Sequence, residues 1–438
     1  MEDGYQRFIA LLEKSESFDK KRLLALQHKG LKRFLRHAWE QVPAYKDRLG
    51  PLFEGGEDPD LSKWHEVPVL TRPEVQSESR ELRAANVPRQ AGDTKTKHTS
   101  GSTGTPMIHH RSNLQQTANQ ATWERALRWH GLDGNKRMIE LATDYDGAAQ
   151  YPEGAKAQEW CRGYPKGQVF LLDNLSTSLS QQVDFLMRHP TEYLIAFPNN
   201  ALGLLEEAQR MGVKLPKYDA VLVSGEVLDA NTREMILESL SNKVVNLYGA
   251  SEAGRLAAEC PQCNHLHVHE EISYLEIVDE KGLPVEPGQI GRILTTSYYN
   301  FAMPLIRYAS GDYGAFLEGP CPCERSSRAL KFVAGRQRNL FHFNDGTSKW
   351  PNLRMKELRP IYPFKQLQVV QDRLDHLTLH MVPSETEQDI DKDALQDVFR
   401  RSLHPSINIS IELCNEIKRS SSGKFEDFIS KVEALQHS

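Results

Sequence analysis

Residues 192–252 read EYLIAFPNNALGLLEEAQRMGVKLPKYDAVLVSGEVLDANTREMILESLSNKVVNLYGASE. Three short apolar runs, 192–197, 220–223 and 244–248, are separated by two stretches with helical character. In the first stretch, 200–211, Ala201, Leu204, Leu205, Ala208 and Met211 recur at three- and four-residue spacing; the second is 231–240. Strands alternating with helices predict parallel βαβ units. Ligands of open parallel sheets bind just beyond the carboxyl ends of the strands. The distinctive polar groups fall at those ends: Ser224-Gly225-Glu226 after the second run, Tyr248-Gly249-Ala250-Ser251-Glu252 after the third.

Outward from this segment the pattern changes. Residues 1–48 are expected to be helical, with Phe8, Leu11 and Leu12 and then Leu31, Phe34 and Leu35 suitably spaced, before a Pro- and Gly-containing break at 51–59. Residues 113–130 read as another helix, so the preceding loop is expected between a strand and a helix. Downstream, 275–278 and 291–296, with a turn-rich stretch between, predict antiparallel strands in a smaller, partly separate sheet. Beyond Gly335, strands at 366–370, 376–381 and 407–413 and a helix at 390–403 predict a small α+β domain. The expected fold is therefore α/β, with a large domain over 1–335 and a hinged α+β domain over 336–438.

With 438 residues the chain can bury several cores. The net charge of −5, from 54 basic and 59 acidic side chains, argues against nucleic acid or an anionic membrane as partner. No apolar run approaches the ~20 residues of a membrane span, and the first residues lack the features of a signal peptide. A cytoplasmic protein is the expectation. In that reducing setting the pairs Cys260/Cys263 and Cys321/Cys323 suggest a metal site sooner than disulfides. Thiolates two or three residues apart can share one tetrahedral Zn²⁺, with Cys263 and His267 competing for the fourth position; four protein ligands would make the ion structural.

The chemistry-bearing candidates begin with Thr99, Ser100, Gly101, Ser102, Thr103, Gly104 and Thr105 in His-Thr-Ser-Gly-Ser-Thr-Gly-Thr-Pro. Hydroxyls and unhindered N–H groups of this kind can wrap polyphosphate oxygens, although such composition alone also suits a linker. The Gly-Lys-Ser/Thr ending of a P-loop is missing, so a cation must come from elsewhere. Lys424, in Ser-Ser-Ser-Gly-Lys near the chain end, is the candidate to reach an α-phosphate. Glu252 could hold Mg²⁺ against the phosphates, or be an ordinary acid at a helix N-terminus. Tyr248 could lie along an adenine, and Gly225 would let backbone approach it. Asp312, in Arg-Tyr-Ala-Ser-Gly-Asp, could accept ribose hydroxyls, with Arg307 as a phosphate or ribose partner.

These segments, in this order, resemble those of the adenylate-forming superfamily of acyl-CoA synthetases and ligases. Val-Pro-Ala-Tyr at 42–45, Val-Pro-Val-Leu-Thr at 67–71, Ser-Gly-Glu at 224–226 and the paired cysteines are similar to the zinc-containing phenylacetate–CoA ligase branch. The resemblance implies ATP-dependent activation of a small, typically aromatic, carboxylic acid, then thioester formation with coenzyme A. A carrier-protein thiol or an amine is the alternative acceptor; a zinc-ribbon binding protein is the alternative of another class. It further implies nucleotide contacts at Gly225, Glu226, Tyr248, Gly249, Ala250, Ser251, Asp312 and Arg336. Catalytic roles fall to Lys424, Glu252 and Arg307, and zinc ligation to Cys260, His267, Cys321 and Cys323 with Cys263 as competitor. The acid pocket would involve Tyr145, Asp146, Gly147, Phe197 and Pro198. Cofactors would be ATP, Mg²⁺, coenzyme A and structural Zn²⁺, in a monomer or homodimer. Relatives commonly carry an acidic pair after Gly-Arg, whereas Gln337-Arg338-Asn339 follows Arg336 here and leaves the hinge without its usual carboxylate.

Overall fold

The structure, a computed structural model, describes residues 2–99, 107–143, 147–336, 339–351, 355–384, 389–417 and 426–432. Its centre is a sheet of twelve strands. Five run parallel, in the order Gln168–Asp173, Arg137–Ala142, Tyr193–Ala196, Ala220–Ser224 and Val244–Ala250. Their near-continuous apolar character follows from cover on both faces. Val221 and Val223 pack with Ala201, Leu204 and Ala208 of the helix Pro198–Arg210. Ala220 and Leu222, pointing the other way, pack with Trp123, Ala126 and Leu127 of the helix Asn113–Trp129. Each fully buried Val or Leu stabilises the layer by roughly 1.5–3 kcal/mol.

Beyond Ala250 the chain reverses and pairs Val244–Ala250 antiparallel with Gly254–Glu259. Leu266–Val268, Ala329–Arg336, Tyr308–Phe316, Gly291–Ser297 and Ser273–Val278 follow in the same sheet. The antiparallel strands are thus as expected, but they extend the parallel sheet instead of standing partly apart. The free edge of Val244–Ala250 would otherwise leave buried N–H and C=O groups unpaired.

The Thr/Ser/Gly loop also sits differently from expectation. Thr94–Thr99 pairs antiparallel with Met107–Ser112, so a strand follows the loop before any helix begins. Ser112 then caps Asn113–Trp129 by accepting from the Gln115 N–H. Residues 100–106, and with them Ser100, Gly101, Ser102, Thr103, Gly104 and Thr105, lie outside the described residues. The amino-terminal helices Glu2–Ser15 and Lys20–Gln41 match their predicted character, and Leu31, Phe34 and Leu35 pack against Tyr298 and Tyr308.

A separate four-stranded sheet, ordered Asn408–Leu413, His376–Pro383, Phe364–Arg373 and Phe428–Ser430, forms with the helix Lys392–Ser402 a core that includes Phe341, Leu377 and Phe399. Asp391 caps that helix at the Ala394 N–H. Among the described residues no helix is long and apolar enough to cross a membrane.

Candidate active site

A cleft of about 720 Å³ lies at the carboxyl ends of the parallel strands, with the small four-stranded unit forming its other wall. Gly225, Glu226 and the whole run Tyr248, Gly249, Ala250, Ser251 and Glu252 line it, as do Asp312, Arg336 and Phe197. Gly225 has φ of 83°, a conformation that its missing side chain permits.

The cleft's polar centre is Asp312. Tyr248 Oη donates to Asp312 Oδ2 at 2.9 Å and Ser310 Oγ donates to the same oxygen at 3.2 Å. Arg336 Nε stands 3.7 Å from Oδ1. The two residues meet because Asp312 and Arg336 are register partners on adjacent strands. Burial, then the Asp312 charge, drives the Tyr248 phenol well above its ordinary range, so it stays a donor at physiological pH.

Glu252 occupies the turn between Val244–Ala250 and Gly254–Glu259, which removes the helix-terminus explanation of its charge. It is 6 % exposed, accepts from Tyr308 Oη at 2.8 Å and faces Arg72 Nη1 at 3.9 Å. A second cation, Arg111, donates to the Ser251 carbonyl. Neither arginine is visible as a site residue in the sequence. Arg72 is delivered by Thr71-Arg72-Pro73-Glu74, whose capping box starts a short helix, and Arg111 by the strand that pairs with Thr94–Thr99.

Arg307 requires a correction. Its side chain is buried away from the cleft, in an ion pair with Glu276 at 3.2 Å. It also donates to the carbonyls of Val67 and Gly282, both at 2.6 Å. The residue pins the 65–70 segment to the sheet, and that segment carries Arg72 to Glu252. Arg307→Met is expected to cost about 3–5 kcal/mol, since it strands the Glu276 carboxylate. Denaturant titration reads that loss. Unchanged stability with lost catalysis would return Arg307 to the reaction.

Of the acid-pocket candidates, Phe197 lines the cleft, Pro198 is buried as the first residue of its helix, and Gly147 is exposed. Thr143, within the candidate acid-pocket stretch 142–149, lines the cleft at the end of Arg137–Ala142. Tyr145, Asp146, Gln337, Arg338 and Lys424 lie outside the described residues.

The small unit docks through polar contacts. Asn199 Nδ2 donates to Asp427 Oδ2 at 2.7 Å, and Glu226 Oε2 accepts from the Asn199 N–H at 3.1 Å. Burial, followed by the Glu226 and Asp229 charges, pushes the Asp427 carboxyl up to about 7, while Asn199 opposes the shift. An undocked aspartate titrates near 4. The docked form therefore holds the proton between about pH 4 and pH 7, and docking weakens as pH rises through that window. Asp427→Asn keeps the acceptor and removes the ionisation. Small-angle scattering should show the wild type expanding as pH rises from about 4 to about 7 and the variant unchanged; equal expansion would place the titration elsewhere.

On the same sheet, Cys260, His267, Cys321 and Cys323 bring their ligand atoms within 4.8 Å of one another. A tetrahedral ion with sulfurs at about 2.3 Å holds them about 3.8 Å apart, and Cys321 Sγ lies 3.8 Å from Cys260 Sγ. His267 Nδ1 is bonded by the Ser327 carbonyl at 3.1 Å, which leaves Nε2 facing Cys323 Sγ at 3.1 Å. Cys263 groups instead with His265 and Cys321. The donor set fits zinc.

A family profile described as the CapK C-terminal domain matches residues 361–431. The chain is similar to phenylacetate-coenzyme A ligases. That of Thermus thermophilus is 25% identical over 337 residues, covering 74% of this chain and 73% of its own. That of Escherichia coli is 24% identical, covering 91% and 92%. Among solved structures, 2-hydroxyisobutyryl-CoA ligase in its postadenylation state superposes with a TM-score of 0.75 at 18% identity, over 96% of this chain and 92% of that one. The fold is that of the acyl-CoA ligases, and the relatives are those that the motifs imply.

Proposed function

We propose that this chain, a relative of the phenylacetate-coenzyme A ligases, activates a carboxylic acid with ATP and passes the acyl group to coenzyme A. The observation that carries the proposal is the convergence on one cleft of Asp312 with its Tyr248 donor and Arg336, and of Glu252 with Arg72. Asp312 would accept the ribose hydroxyls, and Tyr248 would flank the adenine. Glu252 would hold Mg²⁺, a hard cation that takes one or two carboxylates and fills its shell with water and phosphate oxygens. That ion would neutralise phosphate charge; Arg72, Arg111 and Lys424 add protein cations to the same task. Formation of acyl-adenylate releases pyrophosphate, and attack by the thiol then displaces AMP.

The acid is proposed to be small and aromatic, with Phe197 and Thr143 at the cleft wall. The zinc cluster is structural in this proposal, because Cys260, His267, Cys321 and Cys323 leave no open position. The division at 335/336 is the proposed hinge, since Arg336 ends a strand of the large sheet and Phe341 already belongs to the small core. Supplying an acid panel with MgATP should release pyrophosphate, and adding coenzyme A should yield AMP and an acyl-CoA thioester by mass spectrometry. Pyrophosphate release followed by transfer to a carrier thiol or an amine, and not to coenzyme A, would select the alternative acceptor. No release with any acid would overturn the proposal.

A further inference from the structure

The cysteine-rich turn holds more donors than one tetrahedral ion can use. Cys260, His267, Cys321 and Cys323 fill one shell, yet Cys263, His265 and Cys321 form a second group whose ligand atoms also lie within 4.8 Å of one another. The two groups repeat one spacing. His267 Nε2 stands 3.1 Å from Cys323 Sγ, and His265 Nδ1 stands 3.2 Å from Cys263 Sγ. Cys321 Sγ belongs to both, 3.8 Å from Cys260 Sγ on one side and 3.2 Å from Cys263 Sγ on the other.

The backbone fixes this arrangement. The Cys260 N–H donates to the His265 carbonyl at 2.8 Å, which closes the turn and carries Cys263 on its loop. Cys263 and His265 are half-buried, so the second group opens to solvent where the first is mostly enclosed. Asn264 and Leu266, interleaved with these donors, line the nucleotide cleft, and the cluster therefore backs one of its walls.

Hydrogen bonding alone does not account for the second group. A thiol has one proton and donates weakly. Cys321, as a thiolate on the first ion, has none to give, so the single proton of Cys263 serves Cys321 or His265 but not both. A second ion satisfies the two contacts together, because a thiolate sulfur has lone pairs enough to bridge two metals. Two divalent ions also neutralise the four thiolates, whereas one leaves negative charge or a protonated thiol in a partly buried turn. Sulfur and imidazole donors select Zn²⁺ over Mg²⁺ or Ca²⁺.

We propose that the cluster is binuclear: Cys263, His265 and a bridging Cys321 hold a second Zn²⁺ beside the structural one, with its fourth position open to water. The proposal rests on the structural-zinc reading above.

Zinc content tests it. Full-length protein is equilibrated with excess Zn²⁺, desalted and measured by inductively coupled plasma mass spectrometry against protein concentration. The wild type should carry two ions per chain. Cys263→Ser and His265→Gln should each carry one, a twofold drop, and should unfold close to the wild-type temperature because the first shell is intact. His265→Gln changes no thiol and serves if Cys263→Ser does not fold. Cys321→Ser should carry neither ion. Two ions retained by both Cys263→Ser and His265→Gln would place the second ion elsewhere and overturn the proposal. A single ion in the wild type also overturns it and leaves the structural zinc standing. No ion at all removes the structural zinc and the second site with it.

Discussion

Lys424→Ala is expected to lower acid-dependent pyrophosphate release by roughly a thousandfold, the upper range for removing one preorganised charge stabiliser. The Thr99–Thr105 segment contains no cation. The described arginines that line the cleft are committed to local carboxylates: Arg72 faces Glu252, Arg336 faces Asp312 and Arg233 pairs with Glu259, while Arg111 nearby bonds the Ser251 carbonyl. Negative charge that develops on the α-phosphate needs a further donor, and Lys424 lies three positions before Asp427, which docks on Asn199. A lysine there can engage in one docked arrangement and leave in another. Thiolysis of supplied acyl-adenylate should accordingly change by less than about threefold, since one charge-assisted contact is made only in the first half-reaction. Equal loss in both half-reactions, measured by separate pyrophosphate and thioester assays, would remove Lys424 from that role.

Cys321→Ser is expected to empty the metal site and to lower folding stability by more than about 4 kcal/mol, a size reserved for lesions such as metal loss. Cys321 Sγ lies 3.2 Å from Cys263 Sγ and 3.8 Å from Cys260 Sγ, so it is shared by both possible donor groups. The cluster ties the turn before Leu266–Val268 to the loop that leads into Ala329–Arg336, the strand that ends in Arg336. Losing the ion should therefore loosen the sheet before it alters chemistry. Elemental analysis and thermal unfolding read the two effects. A zinc-free Cys321→Ser protein as stable as the wild type would refute a structural zinc.

The parallel units were legible because their signal is local. Runs 192–197, 220–223 and 244–248 became strands Tyr193–Ala196, Ala220–Ser224 and Val244–Ala250, with boundary shifts of one or two residues. The carboxyl unit shows the same kind of periodicity, and its expected strand and helix bounds lie within three residues of the observed ones, while the short strand Phe428–Ser430 has no such signal. Legibility ended where partners are distant in the chain. Nothing near position 255 announces that Arg255 will face Trp123, and nothing near position 111 announces the Ser251 carbonyl.

Arg307 marks the limit most clearly. The motif Arg-Tyr-Ala-Ser-Gly-Asp puts arginine five residues before Asp312, and the reading gave both a nucleotide role. A left-handed φ of 50° at Arg307, just before the strand begins at Tyr308, accompanies a side chain turned into the interior, toward Glu276 and the carbonyls of 67 and 282. Asp312 remains at the cleft because Gly311, at φ 87°, turns the strand there.

Periodicity, turn chemistry and motif order, all properties of neighbouring residues, sufficed for the element types, the strand-end location of the cleft and the carboxylates Glu252 and Asp312. Sheet closure decided the rest: one continuous twelve-stranded sheet, a hairpin before the long helix, and Arg72 and Arg111 beside Glu252. Cross-strand register brings together residues separated by many tens of positions, and hydrogen-bond and charge complementarity between them is a property of that pairing alone.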